Sequence, residues 1–244
     1  MIRIVVPMGG EGRQFAERGY TFPKPLVEVA GQPLIELVVK NLTPSCAHEF
    51  VFVVRQEHVQ NFALGDVLQL IAPGCRIVTM AKPTAGALCS VLLGLEFLQH
   101  EDELLVANAD QWIEAPIDSF LAAARKSEWD GAIMTFPNTH PRWSYVRTEK
   151  GLAVAVAEKQ PISRQATAGL YYFRRGTDFV RGAERMLFKN ASFSGEFYVA
   201  PVYNELILAG KSVGTFPIDA SQMHGLGTPE EVERFAGRLY ASAA

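Results

Sequence analysis

The chain has 244 residues, 48% of them apolar and 20% charged, with a net charge of −3. That length suits one large α/β domain or two small ones with a sizeable core, and the composition excludes disordered and fibrous architectures. The slightly acidic balance argues against a nucleic-acid partner, so any bound anion has to be met by local groups. In chain order, short β-branched runs at 2–6, 49–54, 76–80, 103–107 and 131–136 read as strands. Their continuous hydrophobicity predicts burial on both faces. Helical patterns fall between them: Pro33 opens one that runs to Leu42, another follows Gln56, a third runs over 86–97, and Pro116 opens a fourth over 116–124. The alternation predicts an α/β fold, a three-layer arrangement with a mixed, mainly parallel sheet flanked by helices.

After Asn138 the pattern changes to runs at 143–146, 152–157 and 168–173, read as successive strands of a small antiparallel subregion. Helices at 177–188 and 199–208, a strand at 213–218 and a last helix at Thr228-Pro229-Glu230-Glu231 complete the reading. Thr228 and Glu231 have capping-box spacing. The expectation is a single unit over 1–244, with a nucleotide-binding half at 1–137 and an acceptor-binding half at 138–244. Cys46, Cys75 and Cys89 are odd in number and widely spaced, which reads as reduced core cysteines of a cytoplasmic protein. The N-terminus lacks signal-peptide organisation, and no apolar stretch approaches the roughly 20 residues that span a bilayer, so no membrane association is expected.

Gly9-Gly10-Glu11-Gly12 follows the first strand directly, where backbone amides free of Cβ atoms can curl around phosphate oxygens; a purely structural turn is the competing reading. A dinucleotide fingerprint would need a third glycine where Phe15 stands, and a P-loop would need Gly-Lys-Ser/Thr at this loop, where Arg13 and Gln14 follow Gly12. The chain's Gly210-Lys211-Ser212 lies far downstream, with Glu205 where that pattern needs its first glycine. Phe22-Pro23-Lys24-Pro25-Leu26 then holds one lysine between two prolines, which fix its backbone in an extended form. Such a lysine is either solvated in a proline-rich turn or, beside a phosphate-cradling loop, aimed at charge building on phosphorus.

Taken together, Gly-x-Gly-x-x-Phe, Pro-Lys-Pro-Leu and Gly31-Gln32-Pro33-Leu34-Ile35 resemble the N-terminal signature of the sugar-phosphate nucleotidylyltransferases, the nucleotide-sugar pyrophosphorylases. The resemblance implies a glycosyltransferase-A-like sheet and an NTP held by Met8, Gly9, Gly10 and Gly12, with Lys24 as the catalytic lysine. Where the family carries an arginine before the loop-ending residue this chain has Gln14, and the adjacent Arg13 is the candidate replacement.

Ala107-Asn108-Ala109-Asp110 puts a carboxylate just past a buried strand, where open α/β sheets bind ligands and where Asp is a natural hard ligand for Mg²⁺; an Asx-turn or helix N-cap accounts for it equally. The resemblance implies that Asp110 is the metal ligand and that Asn108 lies against the nucleotide. A second family aspartate has Gly225 as its counterpart here, which leaves Asp219 as the nearest carboxylate and His224 as a weaker candidate. Further similarity assigns Gly86 and Ala87 to the nucleobase, and Glu158, Lys159, Gly169 and Glu196 to the acceptor. Packing at a helix start, a solvated ion pair and a favourable helix-dipole contact are the structural alternatives.

The function so implied is Mg²⁺-dependent transfer of a nucleoside monophosphate from an NTP to a phosphorylated small molecule, a sugar 1-phosphate, with release of pyrophosphate. Nucleotide-sugar supply for capsule or cell-envelope polysaccharide is the setting the resemblance suggests, and the oligomeric state stays open. A cytidylyltransferase acting on phosphocholine or a phosphorylated amino acid is the rival reading, because Trp143, Tyr145, Tyr171 and Tyr198 could form an aromatic cage. A non-catalytic nucleotide or sugar sensor is motivated by Gln14 and Gly225. A glycosyltransferase would need an Asp-x-Asp motif, and the chain has none.

Overall fold

The computed structural model describes residues 1–243, in which the βα alternation builds a nine-stranded sheet with helices on both faces. The strands are β1 (Ile2–Met8), β2 (Glu28–Val29), β3 (Gln32–Pro33), β4 (His48–Arg55), β5 (Arg76–Met80), β6 (Glu103–Ala107), β7 (Gln111–Ile113), β8 (Gly131–Pro137), β9 (Ser144–Glu149), β10 (Leu152–Glu158), β11 (Gln165–Phe173), β12 (Val213–Pro217) and β13 (Met223–Gly225). The helices are α1 (Arg13–Glu17), α2 (Leu34–Leu42), α3 (Gln56–Phe62), α4 (Leu64–Ile71), α5 (Ala87–Leu92), α6 (Leu95–Leu98), α7 (Ile117–Lys126), α8 (Gly176–Phe188), α9 (Val202–Leu208) and α10 (Pro229–Ala243).

The main sheet runs β5-β4-β1-β6-β11-β8-β12-β10-β9. Strands β5, β4, β1 and β6 are parallel, β11 enters antiparallel between β6 and β8, and β12 lies parallel to β8. The β9–β10 hairpin forms the antiparallel edge. The run at 168–173 thus belongs to a strand in mid-sheet and not to the edge group. Its burial shows why: every residue from Ala166 to Phe173 is buried, as in a strand covered on both faces.

Alternation along β1 sends Ile2, Ile4, Val6 and Met8 into one core with α2, α4, α7 and α10, and Val5 into a second core with α5, α8 and α9. Each fully buried Val, Leu or Ile contributes about 1.5–3 kcal/mol, so the two cores clamp the parallel strands from both faces. The helix expected over 86–97 is interrupted at Gly94, which separates α5 from α6; glycine is about 1 kcal/mol worse than alanine inside a helix. Cys75 is buried, whereas Cys46 and Cys89 are half-buried, not core residues. Among the described residues no helix is long and apolar enough to cross a membrane.

Candidate active site

Strands β1 and β6 are parallel neighbours, so the loops after Met8 and after Ala107 open side by side at the carboxyl edge of the sheet. A cavity of about 540 Å³ lies there. Its lining includes Met8, Gly10, Gly12, Lys24, Ala87, Asn108 and Asp110 from the first half of the chain and Ser144, Glu158, Lys159, Thr167, Tyr171 and Tyr198 from the second. The first glycine loop reaches it because Gly12 adopts φ +62, a left-handed conformation that favours glycine, and starts α1 from there. A Cβ on Gly12 would stand 3.3 Å from the Lys24 Cβ, so the loop rests directly on the lysine segment. Lys24 is not extended as its flanking prolines predict; it opens a single 3₁₀ turn after an extended Pro23, and its Nζ donates to Asp110 Oδ2 at 2.6 Å. The Lys24 ammonium holds the Asp110 carboxyl below the ordinary carboxylate range despite the opposing effect of burial.

Asp110 is itself fixed by the backbone. Asn108 N donates to Gly169 O at 3.0 Å, and Leu226 N donates to Asp110 O at 2.8 Å, tying this turn to β11 and to the segment before α10. In the lining from the second half, Glu158 is buried and accepts from the Ser144 hydroxyl. Burial pushes the Glu158 carboxyl upward, only partly countered by Ser144 and Lys159. Lys159 Nζ donates to the Tyr198 hydroxyl at 2.6 Å, and Tyr198 donates to Glu196. Burial works against the Lys159 ammonium, but Tyr198 and the nearby carboxylates outweigh it and raise its pKa.

Several residues singled out in the sequence stand elsewhere. Gly9 lies behind the cavity wall, where a Cβ would come 2.6 Å from Met80 Sδ. Gly86 also stays outside; with φ +108 it packs against Phe197, whose oxygen would be 2.5 Å from a Cβ. Gly169 supports the Asn108–Asp110 turn from behind, a Cβ there meeting Gln111 Oε1 at 2.2 Å and Asn108 Nδ2 at 2.5 Å, and it does not line the cavity. Arg13 reaches the cavity edge but is 78% exposed and paired with Glu11. Glu196 is one residue removed, hydrogen-bonded to Tyr198 and acting on Lys159 by its charge.

Asp219 does not reach Asp110's cavity; its carboxylate caps the 3₁₀ turn Ala220–Gln222 in a capping box with Gln222. Gly225 does pair with Gln111 next to Asp110, but the carboxylate filling the space beside it is Glu231. His224 contacts Glu114 at 3.1 Å and lies tilted against the Phe235 ring, 5.3 Å between centroids. Among the described residues no group of three or more His, Cys, Asp or Glu is arranged to hold a metal. The carboxylates lining this cavity are Asp110, paired with Lys24, and Glu158, paired with Ser144, and a hard cation there would draw its other ligands from bound phosphates. Arg142, Ser144 and Thr167 line the site without having been signalled by any motif. Of the aromatic candidates, Tyr145 is fully buried with its hydroxyl donating to His140 O, and Trp143 carries Arg142 over its ring.

The fold matches that of the nucleoside-diphosphate-sugar pyrophosphorylase from Vibrio cholerae RC9 at a TM-score of 0.81, with 28% identity over 97% of this chain and 100% of that one. The inositol-1-phosphate CTP transferase from T. maritima, 15% identical, shares the fold at a TM-score of 0.73 over 97% of this chain and 95% of that one. No curated protein matches the sequence. The MobA-like NTP transferase domain matches residues 4–176, more than half the chain, and covers the glycine loop, Lys24, Asp110, Glu158 and Lys159. The chain therefore belongs to the MobA-like NTP transferase family and is a nucleotidyltransferase.

Proposed function

We propose that the protein transfers a nucleoside monophosphate from an NTP to a sugar 1-phosphate and releases pyrophosphate. The observation that carries this reading is the pairing of Lys24 with Asp110 in a cavity that Lys159 also lines. Residues 1–137 supply the NTP side, through Gly10, Gly12, Ala87 and Asn108, and residues 138–244 supply the acceptor side. Lys24 neutralises the α-phosphate as charge accumulates in the transition state, and Lys159 orients the acceptor phosphate. An acceptor oxygen attacks the α-phosphorus in line, the bond to the bridging oxygen breaks, and the β- and γ-phosphates leave as pyrophosphate. The attacking phosphate is already ionised at neutral pH, so alignment of the reactants replaces a general base. A divalent cation, Mg²⁺ by its preference for oxygen ligands and phosphates, bound to Asp110 supplies further neutralisation of the phosphates.

The polar wall supports a sugar: Glu158, Ser144, Thr167 and Tyr171 offer acceptors and donors to hydroxyls. The name of the 28%-identical relative, a nucleoside-diphosphate-sugar pyrophosphorylase, points the same way. A cage for a quaternary ammonium is less well supplied, because Tyr145 is in the core and the Trp143 face is taken by Arg142. The test is pyrophosphate release with Mg²⁺ across the common NTPs and dTTP, against sugar 1-phosphates, phosphocholine and phosphorylated amino acids. Release with a sugar 1-phosphate is the expected result; release with only a non-sugar phosphate would overturn the acceptor class, and NTP binding without release would leave the sensor reading.

A further inference from the structure

Arg142 stands just before β9 and lines the cavity, and the next residue ties this segment to Lys159, whose N donates to Trp143 O at 3.0 Å. Its guanidinium lies 4.3 Å from the Trp143 ring centroid. Its Nη2 meets Glu231 Oε1 at 2.6 Å. Glu231 is fixed in turn: its side chain is 12% exposed, and Oε2 accepts from Gly227 N at 2.9 Å and Thr228 N at 3.2 Å. The seat depends on Gly225, since a Cβ there would come 2.9 Å from the Glu231 carboxyl carbon and both its oxygens.

With one face on Trp143 and Nη2 on Glu231, the guanidinium still lines the cavity, and its five-donor fork can serve a second anion in the geometry that suits phosphate. Arg13, the other arginine at the cavity, is committed to Glu11 and largely in solvent. We propose that Arg142 binds the acceptor's phosphate together with Lys159, and that Glu231 and Trp143 are positioning residues that aim its guanidinium. This rests on the transferase reading and assigns the residue by which this chain recognises the acceptor phosphate.

The experiment uses the full chain and two readouts. Calorimetric titration with inorganic phosphate, the group common to every acceptor in question, is run on wild type, Arg142→Ala, Arg142→Lys, Glu231→Gln and Lys24→Ala. Steady-state KM values for NTP and acceptor are measured with whichever pair releases pyrophosphate. Arg142→Ala is expected to weaken phosphate binding and raise the acceptor KM at least tenfold, with the NTP KM within twofold. Arg142→Lys recovers part of that loss, because it keeps the charge and gives up the fork. Glu231→Gln raises the acceptor KM severalfold with kcat little changed.

Phosphate affinity and acceptor KM within twofold of wild type in Arg142→Ala would overturn the proposal. So would a rise confined to the NTP KM, or phosphate binding lost in Lys24→Ala alone. If no pair releases pyrophosphate, the transferase reading fails while the phosphate titration still decides the role of Arg142.

Discussion

Gly169→Ala probes the support beneath the catalytic turn. Gly169 has φ +71, and its missing Cβ leaves the space in which Gln111 and Asn108 sit, with Gln111 Oε1 2.2 Å, Asn108 Nδ2 2.5 Å and Gln111 Nε2 2.6 Å from the Cβ position. Placing alanine in the left-handed region costs about 1–2 kcal/mol. Overpacking adds about 1–3 kcal/mol, because Gln111 is 3% exposed and has little room to retreat. Together the substitution costs about 2–5 kcal/mol, which for a chain of this size lowers Tm by roughly 4–20 °C. Asn108 N hydrogen-bonds to Gly169 O and Asp110 follows two residues later, so the same change displaces the Asp110 carboxylate and lowers turnover. Thermal melts followed by pyrophosphate-release kinetics check both effects. A Tm within a degree of wild type with unchanged turnover would refute the argument that Gly169 holds the turn in place.

Lys24→Ala lowers turnover roughly 10²–10³-fold while Tm changes little, since the Lys24–Asp110 pair is partly solvated; unchanged turnover removes Lys24 from the mechanism. Gly86→Ala, with φ +108 and Phe197 backbone atoms 2.5 and 2.7 Å from the Cβ position, destabilises by about 2–6 kcal/mol, and a melt shows it directly. Glu158 has its pKa raised by burial, so the folded chain holds that proton more tightly than the unfolded chain. Its contribution to stability is complete below the ordinary carboxylate range and is lost as pH rises through the raised value. Glu158→Gln removes this loss, so the Tm of the variant gains on wild type between acidic and neutral pH, whereas parallel Tm–pH curves would refute the assignment.

Much of the parallel half was legible because strands covered on both faces leave apolar runs: those at 2–6, 49–54 and 103–107 fall on β1, β4 and β6. The run at 76–80 falls on β5, the edge strand, where Arg76 and Thr79 are exposed and the expected burial on both faces does not hold. The position of β11 was not legible, because an apolar run reports burial and not which strands lie beside it. The short α1 escaped notice, since it starts from a left-handed Gly12 and not from a side-chain cap. Lys24 and Asp110 stood out by the prolines around one and the strand before the other, and the fold brings them into contact. Gly169 and Gly86 belong to motifs similar to the family's, but their backbone conformations and close neighbours are tertiary facts. Glu231 could be read locally as a cap, which it is, while its pairing with Arg142 joins residues 89 positions apart that no spacing rule connects.

The most direct test of the central claim follows the α-phosphorus. Incubating the chain with Mg²⁺, a sugar 1-phosphate and an α-³²P-labelled NTP should place the label in a nucleotide-sugar, with one unlabelled pyrophosphate released per product. Label recovered only as free NMP, or unreleased in NTP whichever sugar 1-phosphate is offered, would contradict transfer to an acceptor phosphate.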